Sequence, residues 1–443
     1  MDLGTGVRFG SDLCQRGSRV HAPIDGARLV PFLFPFVGLL PPVLSRIQSP
    51  NVLPDRRLGI RRRFVNDGDM NDAASWVEIS RSALVHNLTV LRELAGTAAL
   101  APVVKANAYG HGLRFCAETF TEQGVDMLCV NELSEAEQLS DLAVPIYVLG
   151  PTTTAEASRV AELGCHVVCQ SMEQLRALAL AAQAQGPTIS VHVKVETGTN
   201  RQGASAELAR AMVAWATSSE GLHVAGVTTH LADVEDETQH NFARLQLERF
   251  AAATDDLPSA IVRHVASSAA HILLPESRYG LVRPGLACYG MWPSEETQIA
   301  SRLVHGEAVQ LRSALSWKTR LVSINPARLG EYVGYGRTVR LARNSRLGLL
   351  PVGYYDGYDR QLSGRGTVLL RGQRAPILGR VCMNMCLIDV SDVHGANVGD
   401  EVVLIGAQGQ ERIRASDMAR WADTINYEVT TRIHPRLIRV GVP

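Results

Sequence analysis

Val103-Val104-Lys105-Ala106-Asn107-Ala108-Tyr109-Gly110-His111-Gly112 runs two β-branched residues into a lysine, then breaks into small residues and glycine. The run predicts a buried strand ending at Lys105, with a tight turn beyond it. An amine at such a strand end is desolvated, and desolvation disfavours its charged form. A neutral lysine is a nucleophile that condenses with aldehydes. For Val-Val-Lys alone the plainer reading is a lysine that closes a strand and snorkels to solvent.

Outward from this run, short apolar segments alternate with amphipathic ones. Candidate strands are Leu100–Lys105, Met127–Asn131, Pro145–Gly150, His166–Gln170, Ile189–Glu196, Val224–His230, Ile261–Ser267 and Tyr279–Arg283. Candidate helices between them are Glu132–Leu139, Ala155–Leu163, Met172–Ala184, Ala206–Thr217 and Gln239–Thr254. Eight strand–helix units of this size predict a TIM-like α/β barrel over residues 76–304. A doubly wound sheet is the alternative, weakened because no G-x-G-x-x-G follows the first strand. Past Arg302 the helical pattern thins. Runs such as Leu311–Ser323, Ser345–Val352, Gly366–Leu370 and Glu401–Ile405 predict a mostly β C-terminal domain over residues 305–443. The early Trp76–Ile79 segment is a candidate extra strand for it.

Barrel chemistry sits at the C-terminal ends of strands, where polar residues collect. Lys105 closes the first strand, and Lys194 lies in the fifth with Arg201 in the loop beyond. His230 closes the sixth, Ser267 and Ser268 the seventh, and Arg283-Pro284-Gly285 the eighth. Each alone has a plain structural reading: a cap, a satisfied core histidine, a solvated arginine. The loops after the last two strands commonly bind phosphate in barrels. There Ser268 offers a hydroxyl and Gly285 allows close backbone approach, with Tyr109 within reach from the first loop.

The 443 residues are 46% apolar and 20% charged, with 44 basic and 44 acidic side chains. That balance gives no reason to expect nucleic acid or an anionic membrane as partner. The cysteines Cys14, Cys116, Cys129, Cys165, Cys169, Cys288, Cys382 and Cys386 lack zinc spacing. They predict free thiols in a reducing, cytoplasmic compartment and no metal site. Residues 1–69 differ from the rest, with arginine but neither lysine nor glutamate, and seven of the twenty prolines. Their apolar stretch Leu29–Leu44 is short for a membrane span and is interrupted by four prolines. This predicts a disordered or non-native extension, with Met70 as the start; a targeting presequence is the alternative.

Several separated motifs together resemble the alanine racemase family. They are V-V-K-A-N-A-Y-G-H-G (103–112), K-V-E-T-G-T-N-R (194–201), T-H-L-A (229–232), S-S-A-A (267–270), V-R-P-G-L-A-C-Y-G (282–290), V-G-Y-G-R (333–337), G-R-V-C-M-N-M (379–385) and I-N-Y-E-V-T-T-R-I (425–433). The resemblance spans the chain from about Trp76 onward. It implies a pyridoxal 5′-phosphate (PLP) enzyme that racemises alanine by two-base proton transfer and supplies D-alanine for peptidoglycan. It also implies a head-to-tail homodimer in which the partner's β domain completes each site.

By the same resemblance, Lys105 carries the cofactor and serves as one base. Tyr335, from the other subunit, serves as the second. A phenol ionises near ~10, so such a base needs positive neighbours, here His230 and Arg283. Arg283 would face the pyridine nitrogen, and guanidinium essentially never releases its proton. Tyr109, Ser268, Gly285, Leu286 and Tyr427 would bind the cofactor, with Tyr427 also narrowing the pocket. Arg201 and Met383 would meet substrate, Lys194 is a carbamylation candidate, and Tyr354 would line the entrance. Asn384 stands where the family often has aspartate, a departure that bears on the tuning of Tyr335. Two other functions fit the same residues: a broad-specificity or serine racemase, and a non-catalytic PLP-binding protein that would not need Tyr335.

Overall fold

The computed structural model describes residues 73–443 apart from 236–238 and 308, so the predicted extension over 1–69 lies outside the described residues. Nine strands carry the first part of the chain: β1 (Ser75–Ser80), β2 (Ala99–Leu100), β3 (Leu128–Val130), β4 (Ile146–Val148), β5 (His166–Cys169), β6 (Ile189–Lys194), β7 (Leu222–Thr228), β8 (Val262–His264) and β9 (Leu281–Val282). Strands β3 to β8 form one parallel sheet in sequence order. Single backbone hydrogen bonds close it into a barrel. Val104 N donates to Cys129 O (2.7 Å), joining the chain after β2 to β3, and Ala101 N donates to Val282 O (2.9 Å), joining β2 to β9. Gly280 N to Arg263 O (3.0 Å) and Arg283 N to Ala266 O (2.9 Å) join β9 to β8.

All eight predicted barrel strands are present, most of them shorter than expected: Pro145–Gly150 is reduced to Ile146–Val148, Ile261–Ser267 to Val262–His264, Tyr279–Arg283 to Leu281–Val282 and Leu100–Lys105 to Ala99–Leu100. Pro102 has no N–H to give, and beyond Leu100 the chain is held by individual bonds rather than a regular ladder. The helices between strands follow from capping and periodicity. Ser80 caps Arg81–Ala95 by accepting from Ala83 N, and Leu84, Leu88, Leu91 and Ala95 form its buried stripe. Ser171 and Ser205 cap Met172–Gln185 and Ala206–Ser218 in the same way. Helix Glu295–His305 extends helical structure past Arg302, where the sequence pattern thins. It is capped by Ser294 and buries Thr297, Ala300 and Ser301.

The remaining chain is mostly β: β10 (Leu315–Arg320), β11 (Ser323–Ala327), β12 (Tyr332–Val333), β13 (Val339–Arg340), β14 (Ser345–Leu350), β15 (Thr367–Leu370), β16 (Gln373–Leu378), β17 (Cys386–Asp389), β18 (Glu401–Gln408), β19 (Glu411–Ile413) and β20 (Ile438–Val442). The main sheet runs β11-β14-β17-β16-β15-β18-β10-β1-β20, with β19 on β18. Leu311–Ser323, expected as one strand, contributes β10 and the first residue of β11. The chain changes partners between them: Leu321 N bonds Asp400 O, and Val322 N bonds Leu349 O. As expected of Trp76–Ile79, β1 joins this sheet, antiparallel to β10 (Val77 opposite Trp317) and parallel to β20 (Val77 opposite Arg439). No helix among the described residues is long and apolar enough to cross a membrane.

Candidate active site

The loop after Lys105 is unusual backbone. Ala106, Asn107, Ala108 and Tyr109 have φ of 53°, 56°, 54° and 52°, a left-handed turn made without glycine. Each such residue costs roughly 1–2 kcal/mol, so the surroundings must over-determine it. Ala108 N donates to Val104 O (2.8 Å), Gly110 N to Ala106 O (3.1 Å), and Asn107 Oδ1 accepts from Leu113 N (2.9 Å). His111 Nδ1 lies 3.0 Å from Ala108 O and 3.1 Å from Tyr109 O. Gly110 is required here, because a Cβ would fall 2.0 Å from Thr430 O.

This turn sends Lys105 and Tyr109 into one cavity of about 500 Å³ at the barrel mouth. Lys194, Arg201, His230, Ser268 and Arg283 line it, as do Gly285, Leu286 and Tyr427. At one end Tyr109 and Gly285 are in closest approach: a Cβ on Gly285 would lie 2.3 Å from the Tyr109 hydroxyl. Ser268 Oγ accepts from Gly285 N (2.9 Å) and Ala287 N (3.2 Å). The Tyr109 and Ser268 hydroxyls and two backbone N–H groups therefore gather at one place on the cavity wall, polar groups of the kind that bind anions. Lys105 lines the same cavity, and its pKa is lowered by burial first and by Arg201 second. Lys194 Nζ donates to Gln202 Oε1 (3.1 Å), and burial with Arg283 and Arg201 brings its amine down to about 8.

Arg283 is buried and its pKa is lowered by that burial, yet guanidinium starts so high that it stays charged. One terminal nitrogen donates to Thr229 O (3.1 Å) and Val265 O (3.2 Å), and the other to His264 Nδ1. That last bond decides three tautomers. Guanidinium only donates, so His264 Nδ1 is bare and its Nε2 carries the proton. Nε2 then donates to His192 Nδ1 (2.8 Å), and His192 Nε2 to His166 Nδ1 (3.0 Å). All three are held neutral: burial drives His264 and His192 well below the ordinary histidine range and His166 to about 4. His230 is brought to about 3 by burial and then by Arg283, so it too is neutral at pH 7 and is not the positive neighbour expected for Tyr335, a part left to Arg283.

Two of the expected residues do not reach this cavity. Tyr335 lies in the short turn Tyr335–Arg337 beside β12, 74% exposed, and Met383 is 55% exposed in the loop before β17. Tyr354 is likewise exposed, as is Asn384 beside Met383. Several cavity residues were not singled out from sequence. Glu235, in the loop after β7, accepts the Tyr427 hydroxyl at 2.9 Å. Gln202 meets Lys194, and Tyr147 stacks on His192 at 4.2 Å. A signal for His192 was present: it is two residues before Lys194, so strand alternation turns both side chains inward.

The chain matches the family models for the alanine racemase N-terminal domain over residues 79–293 and the C-terminal domain over residues 314–441. The alanine racemase of Leptospira interrogans is 34% identical over 390 residues, covering 85% of this chain and 99% of the relative. That of Desulfovibrio desulfuricans is 37% identical over 378 residues, covering 84% and 99%. Among solved structures, alanine racemase from D-cycloserine-producing Streptomyces lavendulae superposes with a TM-score of 0.77 at 35% identity, covering 84% of this chain and 97% of that one. By fold, by both domain matches and by these relatives, the chain belongs to the alanine racemase family.

Proposed function

We propose that this chain interconverts L- and D-alanine with PLP held in the barrel cavity. One observation carries the reading. A lysine of lowered basicity lines one cavity together with a Ser268–Gly285–Tyr109 cradle too tight for a Cβ. The donor set fits the cofactor at both ends. Tyr109, Ser268, Gly285, Leu286 and Tyr427 would hold its phosphate, and Arg283 its ring nitrogen. When bound, PLP supplies an aldehyde and an electron-accepting ring that makes an amino acid's α-hydrogen removable.

The protein's work is then binding and proton transfer. Lys105 Nζ takes or returns the α-proton on one face, helped by the desolvation that lowers its pKa. Arg201 orients the substrate carboxylate by charge-assisted hydrogen bonding. Arg283 stays protonated, so beside the ring nitrogen it would act as a donor and favour that nitrogen's unprotonated form, in which the ring would be a weaker electron sink. Lys194 is the carbamylation candidate, since an amine near 8 has a neutral fraction available to CO₂. The opposite face needs a second base, and Tyr335 of a second copy is our assignment. Its exposure outside the cavity of its own chain supports a homodimer with shared sites, with Met383 approaching substrate from the same side. A cytoplasmic location and supply of D-alanine for peptidoglycan complete the proposal, as do the domain limits 76–304 and 305–443.

The test is direct. Lys105→Ala should abolish alanine racemisation measured by chiral analysis, and borohydride trapping of the wild type with PLP should place the label on Lys105. Normal turnover in Lys105→Ala, or a label elsewhere, would sink the mechanism. Rates for alanine, serine and lysine side by side measure the substrate range.

A further inference from the structure

We propose that Glu135 is a positioning residue for the Lys105 amine, acting through the peptide N–H of Ala106. The inference rests on the racemase reading of the cavity and adds to it a residue outside the cavity lining. Glu135 is half-buried at the third position of the short helix Leu133–Glu137. A carboxylate at that position ordinarily folds back onto the start of its own helix. One oxygen does so, accepting from Asn131 N at 2.7 Å. The other crosses to the first barrel loop and accepts from Ala106 N at 2.6 Å.

Ala106 opens the left-handed turn and directly follows Lys105. A turn's first N–H has no acceptor within the turn itself, so an outside group must take it. Glu135 supplies one with full charge, making the short, strong bond expected of a carboxylate. The same carboxylate ties the loop after β3 to the loop after β2. Loss of the clamp frees the strained turn that sets both Lys105 and Tyr109. The tolerance there is small, because Tyr109 already touches Gly285.

The clamp is also an anion beside the amine. Lys105 faces Arg201, Lys194, Arg283 and neutral His230 in the cavity, and the buried, neutral Cys129 thiol, whose pKa is pushed up to about 12. Glu135 opposes the lowering of the Lys105 pKa caused by burial and Arg201. Removing its charge therefore lowers the amine's pKa further.

The experiment compares wild type, Glu135→Gln and Glu135→Ala as full-length protein. Three readouts are PLP affinity by absorbance titration, kcat and KM for alanine across pH, and the pH midpoint of Lys105 labelling by an amine-reactive reagent in cofactor-free protein. Glu135→Gln is near-isosteric and removes the charge and one acceptor. It should weaken PLP binding about tenfold and lower kcat roughly 10–100-fold with little change in KM, the scale expected for misplacement of a reacting group. The labelling midpoint should move to lower pH. Glu135→Ala should move each readout further in the same direction; if it fails to fold, Glu135→Gln carries the test. A Glu135→Gln protein with wild-type PLP affinity, kcat and labelling midpoint overturns the proposal. So does one that only melts at a lower temperature with those three unchanged. Failure of the racemase reading would look different, as a wild type that neither binds PLP nor racemises alanine.

Discussion

Arg283 is a charge inside a barrel, held by one imidazole and two carbonyls rather than by a carboxylate. The neutral row His264–His192–His166 keeps its acceptor in place, and Arg283 itself lines the cavity. His264→Leu would leave a buried guanidinium N–H unpaired, so it should cost about 1–3 kcal/mol of stability, read by urea unfolding. The row also makes a pH prediction. His264 and His192 have folded pKa values well below the unfolded ~6.5. In that window the unfolded chain binds protons that the folded chain does not, so stability rises with pH. The stability they contribute is present above ~6.5 and is lost as pH falls below it. Unfolding midpoints at pH 7.5, 6.5 and 5.5 should decline in wild type and decline less in His264→Leu. Equal slopes would show that His264 is not linked to protons.

At the scale of elements, the first strand of the described chain matters out of proportion to its length. β1 lies between β10 and β20, and Trp76, Val77 and Ile79 are buried there. Ile79→Ala should cost about 2–5 kcal/mol, the range for emptying a buried aliphatic site, and truncation to residue 81 should leave no cooperative unfolding transition. The loops show a different economy. Glu235 reaches Tyr427 from the loop after β7, and Asn426 Nδ2 donates to Trp292 O (2.8 Å), so the helix Asn426–Thr431 is pinned over the barrel mouth. Gly285→Ala should disturb this end of the cavity more than its one methyl suggests. Its Cβ meets the Tyr109 hydroxyl at 2.3 Å, so PLP affinity should fall at least tenfold in an absorbance titration.

For the whole molecule, the cavity holds one proposed base and the second stands exposed on the β-rich region. If sites are shared between two copies, a mixture of inactive variants must regain activity. In a Lys105→Ala/Tyr335→Phe heterodimer, one site is doubly damaged and the other has both native bases. Random reassortment of equal amounts should restore about 25% of wild-type activity. No recovery after confirmed subunit exchange would mean that the two residues act within one chain.

The alternation of apolar and amphipathic runs determined by itself that the chain makes eight parallel strands with helices between them, then a β-rich region. Each strand buries its side chains locally, so its composition records the outcome. Motif spacing likewise marked Lys105, Lys194, His230, Ser268 and Arg283, because strand ends are where a barrel exposes polar groups. Other features depended on tertiary placement. Nothing near Ala106 in the chain announces four left-handed residues, since their conformation is imposed by Glu135, Leu113 and the packing of Gly110 on Thr430. The Arg283–His264–His192–His166 row joins strands β5, β6 and β8 and the residue after β9, and only closure of the barrel brings them within hydrogen-bonding distance. Local pattern carries which face of an element is buried. The contacts between faces, and the protonation states those contacts enforce, exist only once the chain has folded.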